Sequence, residues 1–154
     1  MEVHMAHINN ILYPVDFTEH HAKILPMVIE MVQKLGATLH TLHVVEDLGH
    51  YASFYIPHPS LDKMETDLKS GAQRKMEEFV AKHLEPLSGV TSDVMDGDPA
   101  SQVIKYAEEH DIDLIITATH GRKGLEHAIF GSVAENIVRN SPVPVMTINP
   151  YKMK

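Results

Sequence analysis

The sequence predicts an α/β fold, a single domain over residues 1–154 built on an open, mostly parallel five-stranded sheet with helices on both faces. Two observations predict it. Apolar runs of strand length alternate five times with stretches whose apolar residues recur at helical spacing. The chain has 154 residues, 44% of them hydrophobic and 22% charged, which is enough for one core and too few for a second domain.

"NNILYPVD" (Asn9 to Asp16) is short, mostly apolar and ends in a carboxylate, as expected of a buried parallel strand. Thr18 can cap the helix that comes next, whose Leu25, Val28, Val32 and Leu35 share a face. Gly36 stops that helix, and Pro26 inside it is expected to produce a kink. "TLHTLHVV" (Thr38 to Val45) is the second strand. Glu46 to Pro59 has no periodicity and is a candidate flap over a site. From Ser60 a long amphipathic helix is marked by Leu61, Met64, Leu68, Met76 and Phe79, with Gly71 weakening its middle. "GVTSDVMDG" supplies the third strand. Asp98 followed by Pro99 opens a helix over Ala100 to His110, because an aspartate accepts from first-turn amides and proline suits the first helical position. "DLIITA" is the fourth strand, a helix runs from about Val133 to Asn140, and "VPVMTIN" is the fifth strand.

Composition excludes several functions. A net charge of −8 argues against a sequence-independent grip on nucleic acid or on an anionic membrane, both of which need a basic surface. The absence of cysteine removes disulfides and thiolate chemistry. "MEVHMAHINN" lacks an apolar signal region and no stretch is long enough to span a bilayer, so a soluble, cytoplasmic protein is expected. Twelve histidines are present, including the pairs His4 and His7, His20 and His21, and His40 and His43, yet no His-Glu-x-x-His and no carboxylate cluster at metal spacing accompanies them.

In an open parallel sheet, ligands bind beyond the carboxyl ends of the strands where the strand order reverses. The places selected are Asp16, Val44 with Val45, and the stretch "ATHGRKGLEHAIFGS" (residues 118–132) after the fourth strand. A glycine-rich turn entering a helix presents backbone N–H groups and the positive end of the helix dipole, which suits phosphate. Ser132 and Glu135 form a Ser-x-x-Glu capping box, and Arg122 and Lys123 are candidates to neutralise phosphate charge. His120 and His127 lie in the same stretch.

"NNILYPVDFT", "LHVVED", "GDPA" and "ATHGRKGLEHAIFGSVAENIVRNSPVPVMTI" together resemble the universal stress protein family over nearly the whole chain. The family's nucleotide-binding members carry Gly-x2-Gly-x9-Gly-Ser/Thr, matched here at Gly121, Gly131 and Ser132, with Ala118 in place of the first glycine. The resemblance implies a Rossmann-like sheet in the order 3-2-1-4-5 and a bound ATP, ADP or AMP. Asp16 would hold the ribose, and backbone near Pro14, Val15 and Val44 the base. Thr117, Ala118, Gly121, Arg122, Gly131, Ser132 and Val133 would line the phosphate end, with any divalent metal arriving on the phosphates. It also implies a homodimer through the C-terminal strand, Val143 to Ile148, which would otherwise leave an open edge. No Walker motif, nucleophile elbow or pyrophosphatase loop is present, so no catalytic residue is assigned. Three functions stay open: a nucleotide-binding regulatory module in stress response, a weak ATPase or adenylate-transferring enzyme, and a dimeric interaction protein without nucleotide.

Overall fold

The computed structural model describes residues 7–47, 57–120 and 130–153. Their elements, in order, are β1 (Asn10–Pro14), α1 (Glu19–Leu35), β2 (Thr38–Val45), α2 (His58–His83), β3 (Thr91–Asp96), α3 (Pro99–Glu109), β4 (Leu114–Ala118), α4 (Ser132–Asn140) and β5 (Val145–Ile148). All the pairings are parallel and the sheet runs β3-β2-β1-β4-β5, the order expected. β1 is therefore central, with Leu12 opposite His40 of β2 on one side and Ile115 of β4 on the other.

Alternation along the strands divides the core into two layers. Ile11, Tyr13 and Val15 join Leu39, Ile116 and Ala118 under α1 and α2, where Ile24, Val28, Val32 and Met76 close the layer. Leu12, Leu42 and Ile115 point the other way, onto Val103 and Tyr106 of α3 and Ile137 of α4. Each fully buried side chain of this size contributes about 1.5–3 kcal/mol of transfer free energy, which makes these two layers the main source of stability.

The helix ends reflect mostly local chemistry. Gly36 adopts φ 63° and its neighbour's amide, Ala37 N, returns to the Val32 carbonyl at 3.0 Å, closing α1 with a left-handed cap. Asp98 caps α3 through Ser101 N at 2.9 Å. α1 runs unbroken through Pro26. Two expected caps are corrected. Thr18 occupies the N-cap position of α1 but makes no capping bond, because its hydroxyl is turned onto Asp16. Ser132 is not the cap of α4: Gly131 takes that position in extended conformation and its carbonyl accepts from Glu135 N at 2.9 Å. Ser132 is then the first helical residue, and Glu135 pairs with Arg139 at 2.8 Å instead of reaching back. In α2, which starts at His58, Leu61 and Met76 are buried as their spacing predicts, but Leu68 is 40% exposed.

Candidate functional site

The chain leaves β1 at Pro14 and is pinned at Val15, whose amide donates to the Leu42 carbonyl at 2.8 Å. Phe17 then takes φ +60°, a left-handed conformation that bulky residues rarely adopt. This turn brings the amide of Thr18 back onto Asp16 Oδ1 at 2.9 Å, and the Thr18 hydroxyl donates to the same oxygen at 2.6 Å. Nε2 of His21 lies 3.4 Å from that oxygen as well. The Asp16 side chain is about a quarter exposed, and among the described residues Oδ2 receives no hydrogen bond.

Histidine and aromatic rings cluster at this end of the sheet. His43 of β2, 6% exposed, donates from Nδ1 to the Val15 carbonyl at 2.6 Å, and its ring centroid is 4.4 Å from that of Phe17. Both backbone polar groups of Val15 are thus engaged within the protein. His21 is equally buried, and its carbonyl accepts from the Tyr13 hydroxyl at 2.9 Å. Burial pushes the His21 imidazole below the usual histidine range, with His20 and His43 adding in the same direction and Asp16 and the Pro14 carbonyl opposing. Tyr13 is pushed far up, first by burial and then by Asp16. Tyr151, beyond β5, bridges two elements: its hydroxyl meets His20 Nε2 at 3.2 Å and its ring stands edge-on to His120 at 5.1 Å.

β4 ends beside β1, so the chain just past Ala118 lies next to the chain just past Pro14. Thr117, Ala118, Thr119 and His120 are all buried, and Thr119 Oγ1 is 2.8 Å from His120 Nδ1. Ala118 is an ordinary strand residue whose methyl joins the core layer under α1, so it carries none of the cost of a left-handed alanine. Gly131 donates to the Thr119 carbonyl at 2.6 Å, which ties the start of α4 to the end of β4. Its φ is −71°, and a Cβ there would stand 3.4 Å from the Thr119 oxygen, so neither backbone conformation nor packing among the described residues demands glycine. The amides of Ser132, Val133 and Ala134 precede the first α-helical bond, and among the described residues no side chain caps them. Val44 is half-buried on the α3 side of β2. Gly121 and Arg122, together with Lys123, Gly124 and His127, lie outside the described residues, as does most of the Glu46 to Pro59 segment.

A cleft of about 430 Å³ opens beyond β2 and β3, with Glu46, Asp47, Asp62, Glu65 and Asp96 facing a single cation, Lys69, among its described lining residues. Its charge is unfavourable to a polyphosphate. Among the described residues no group of three or more histidines and carboxylates is placed to hold a metal ion, and no helix is long and apolar enough to cross a membrane.

Residues 7–149 match the model of the universal stress protein family. The chain belongs to that family. A universal stress protein of Methanocaldococcus jannaschii is 30% identical over 152 residues, covering 90% of this chain and 93% of that protein. A solved structure of the same protein superposes with a TM-score of 0.80 at 26% identity, over 94% of this chain and 97% of its own. The universal stress protein of Archaeoglobus fulgidus, solved in complex with dAMP, shares the fold with a TM-score of 0.63 at 16% identity, over 94% and 100% of the two chains. Another family structure, at a TM-score of 0.60, 14% identity and 94% and 99% coverage, contains cAMP. Against this universal stress protein fold, sequence reasoning put Asp16 just past the first strand, where it stands, but missed the left-handed Phe17 and the burial of His21, His43 and His120. One local signal was available for His21, which is the third residue of α1 and so, in the first turn, leans back towards the carboxylate before the helix.

Proposed function

We propose that this universal stress protein is a cytoplasmic regulatory module that binds an adenine nucleotide, ATP, ADP or AMP, across the carboxyl ends of β1 and β4. The observation that carries the reading is the pairing, at one switch point, of two groups that no described side chain satisfies: Asp16 Oδ2, and the first-turn amides of Ser132, Val133 and Ala134. The first suits ribose hydroxyls and the second suits phosphate. Gly131 supports it, because a glycine that packing among the described residues does not require is consistent with a ligand's approach. The base is left to Pro14 and Val44, since the backbone groups of Val15 are engaged. Thr117, Ala118, Gly121 and Arg122 complete the phosphate end. A divalent cation would enter with the phosphates rather than on protein ligands. Family members that hold dAMP and cAMP add support from outside the chain.

Titration calorimetry with ATP, ADP and AMP tests this. Asp16→Ala should weaken all three about tenfold or more, the loss of charge-assisted hydrogen bonds worth about 1.5–3 kcal/mol. Wild-type protein that binds none of them would sink the proposal. The same reading includes a homodimer in which β5, half-buried along its length and, among the described residues, paired on one side only, meets its copy in a second subunit.

A further inference from the structure

The Thr18 hydroxyl stands where a helix cap belongs and does not cap. An N-cap threonine contributes about 1 kcal/mol to a helix, and α1 forgoes that contribution. The hydroxyl is committed to Asp16 Oδ1 at 2.6 Å, the amide of the same residue reaches the same oxygen at 2.9 Å, and His21 Nε2 crowds it at 3.4 Å. Among the described residues, every polar contact to this carboxylate therefore falls on one oxygen. Rotation about the Asp16 side chain would exchange the two oxygens, and the two bonds from Thr18 oppose it.

Resting on the nucleotide reading above, we propose that Thr18 is a positioning residue that holds the Asp16 carboxylate in one rotamer, so that Oδ2 alone reads the hydroxyls of the ligand's sugar. Without the hydroxyl bond the carboxylate samples other rotamers, and the ligand must bear the cost of ordering it. Thr18 thereby sets preference for a hydroxylated sugar while touching no ligand atom itself. His21 stands beside the arrangement on the helix side, its buried ring placing Nε2 3.4 Å from Oδ1.

The test compares ATP with 2′,3′-dideoxy-ATP by calorimetry. In Thr18→Val, which keeps the side chain's shape and removes its donor, ATP should bind about five- to tenfold more weakly while dideoxy-ATP changes less than twofold. Thr18→Ser should restore ATP binding to within about twofold. On an Asp16→Ala background, Thr18→Val should have no further effect, because the group it positions is gone. Equal losses for the two nucleotides, or a full loss that persists beside Asp16→Ala, would show a merely structural threonine and overturn the inference. If Thr18→Val does not fold, Thr18→Ala read by the same ratio decides the matter: a loss confined to ATP supports the inference, and an unchanged ratio of the two affinities overturns it. Wild-type protein that binds neither nucleotide removes the nucleotide reading and this inference with it, whereas wild-type binding with no effect of Thr18→Val removes this inference alone.

Discussion

Phe17 costs free energy where it stands. A bulky residue in the left-handed region carries about 1–3 kcal/mol of backbone strain, a sum that its packing against His43 and Phe79 can offset. The return is geometric, since this turn is what lets Thr18 reach Asp16. A second buried group beside the carboxylate has a consequence for pH. In the folded chain His21 is held neutral by burial, below its ordinary pKa of 6.5, while in the unfolded chain it titrates normally. Above that value both states are neutral and the residue contributes nothing to pH dependence. As pH falls through 6.5 the unfolded state takes up a proton that the folded state refuses, so stability declines, by at most about 1.4 kcal/mol per pH unit, until the lower folded value is reached. Urea titrations from pH 7.5 to pH 5 should therefore show a steeper acid-side loss for wild type than for His21→Gln. Parallel curves would mean that the imidazole is solvated in the native protein.

Helix ends show what a local rule predicts and where it stops. Gly36 and Asp98 were legible because a left-handed cap and an aspartate cap need only the neighbouring backbone. Ser132 and Thr18 escape the local rule for one reason. Each has a competing partner or position supplied by tertiary structure: the link from Gly131 to Thr119 moves the cap back by one residue, and Asp16 takes the threonine hydroxyl. The strands were legible from their apolar runs, β2 to its end residues. The candidate site was legible only in part, since Asp16 is marked by its place at the end of an apolar strand and His21 by its place in the first turn of α1, whereas His43, His120 and Tyr151 come from three distant segments and have no local signature. The exit from α3 offers a test of the local rules. Asp111 has φ 49° just past the helix, beside the bond from Ile112 N to the Ala107 carbonyl, at a position that favours glycine. Asp111→Gly should raise stability by about 0.5–1 kcal/mol, measurable as a higher denaturant midpoint with an unchanged slope. A lower midpoint would show that the aspartate contributes something other than its backbone conformation.

At the scale of the molecule, β3 and β5 form the two edges of the sheet. The bonds from Ile115 N to the Pro144 carbonyl and from Thr119 N to the Ile148 carbonyl place the even-numbered residues of β5 towards β4. In a parallel pair the residues between them point their N–H groups outward, so Thr147 presents its donor to the open edge. Thr147→Pro removes that donor and leaves the inner ladder intact. If the proposed dimer pairs β5 with its copy, sedimentation should find wild type dimeric at micromolar concentration and the variant monomeric. A variant that stays dimeric would move the interface to another surface.

The central place of β1 also bears on how the chain comes together. Its partner on one side, β2, lies within the same third of the sequence, but its partner on the other, β4, begins only at residue 114. As the polypeptide is synthesised, the strand that carries Asp16 therefore waits with one flank unpaired while most of the remaining sequence emerges, a period in which an apolar edge is open to wrong partners. Nothing bound to a finished crevice can protect it then, because one wall of the crevice has not yet been made.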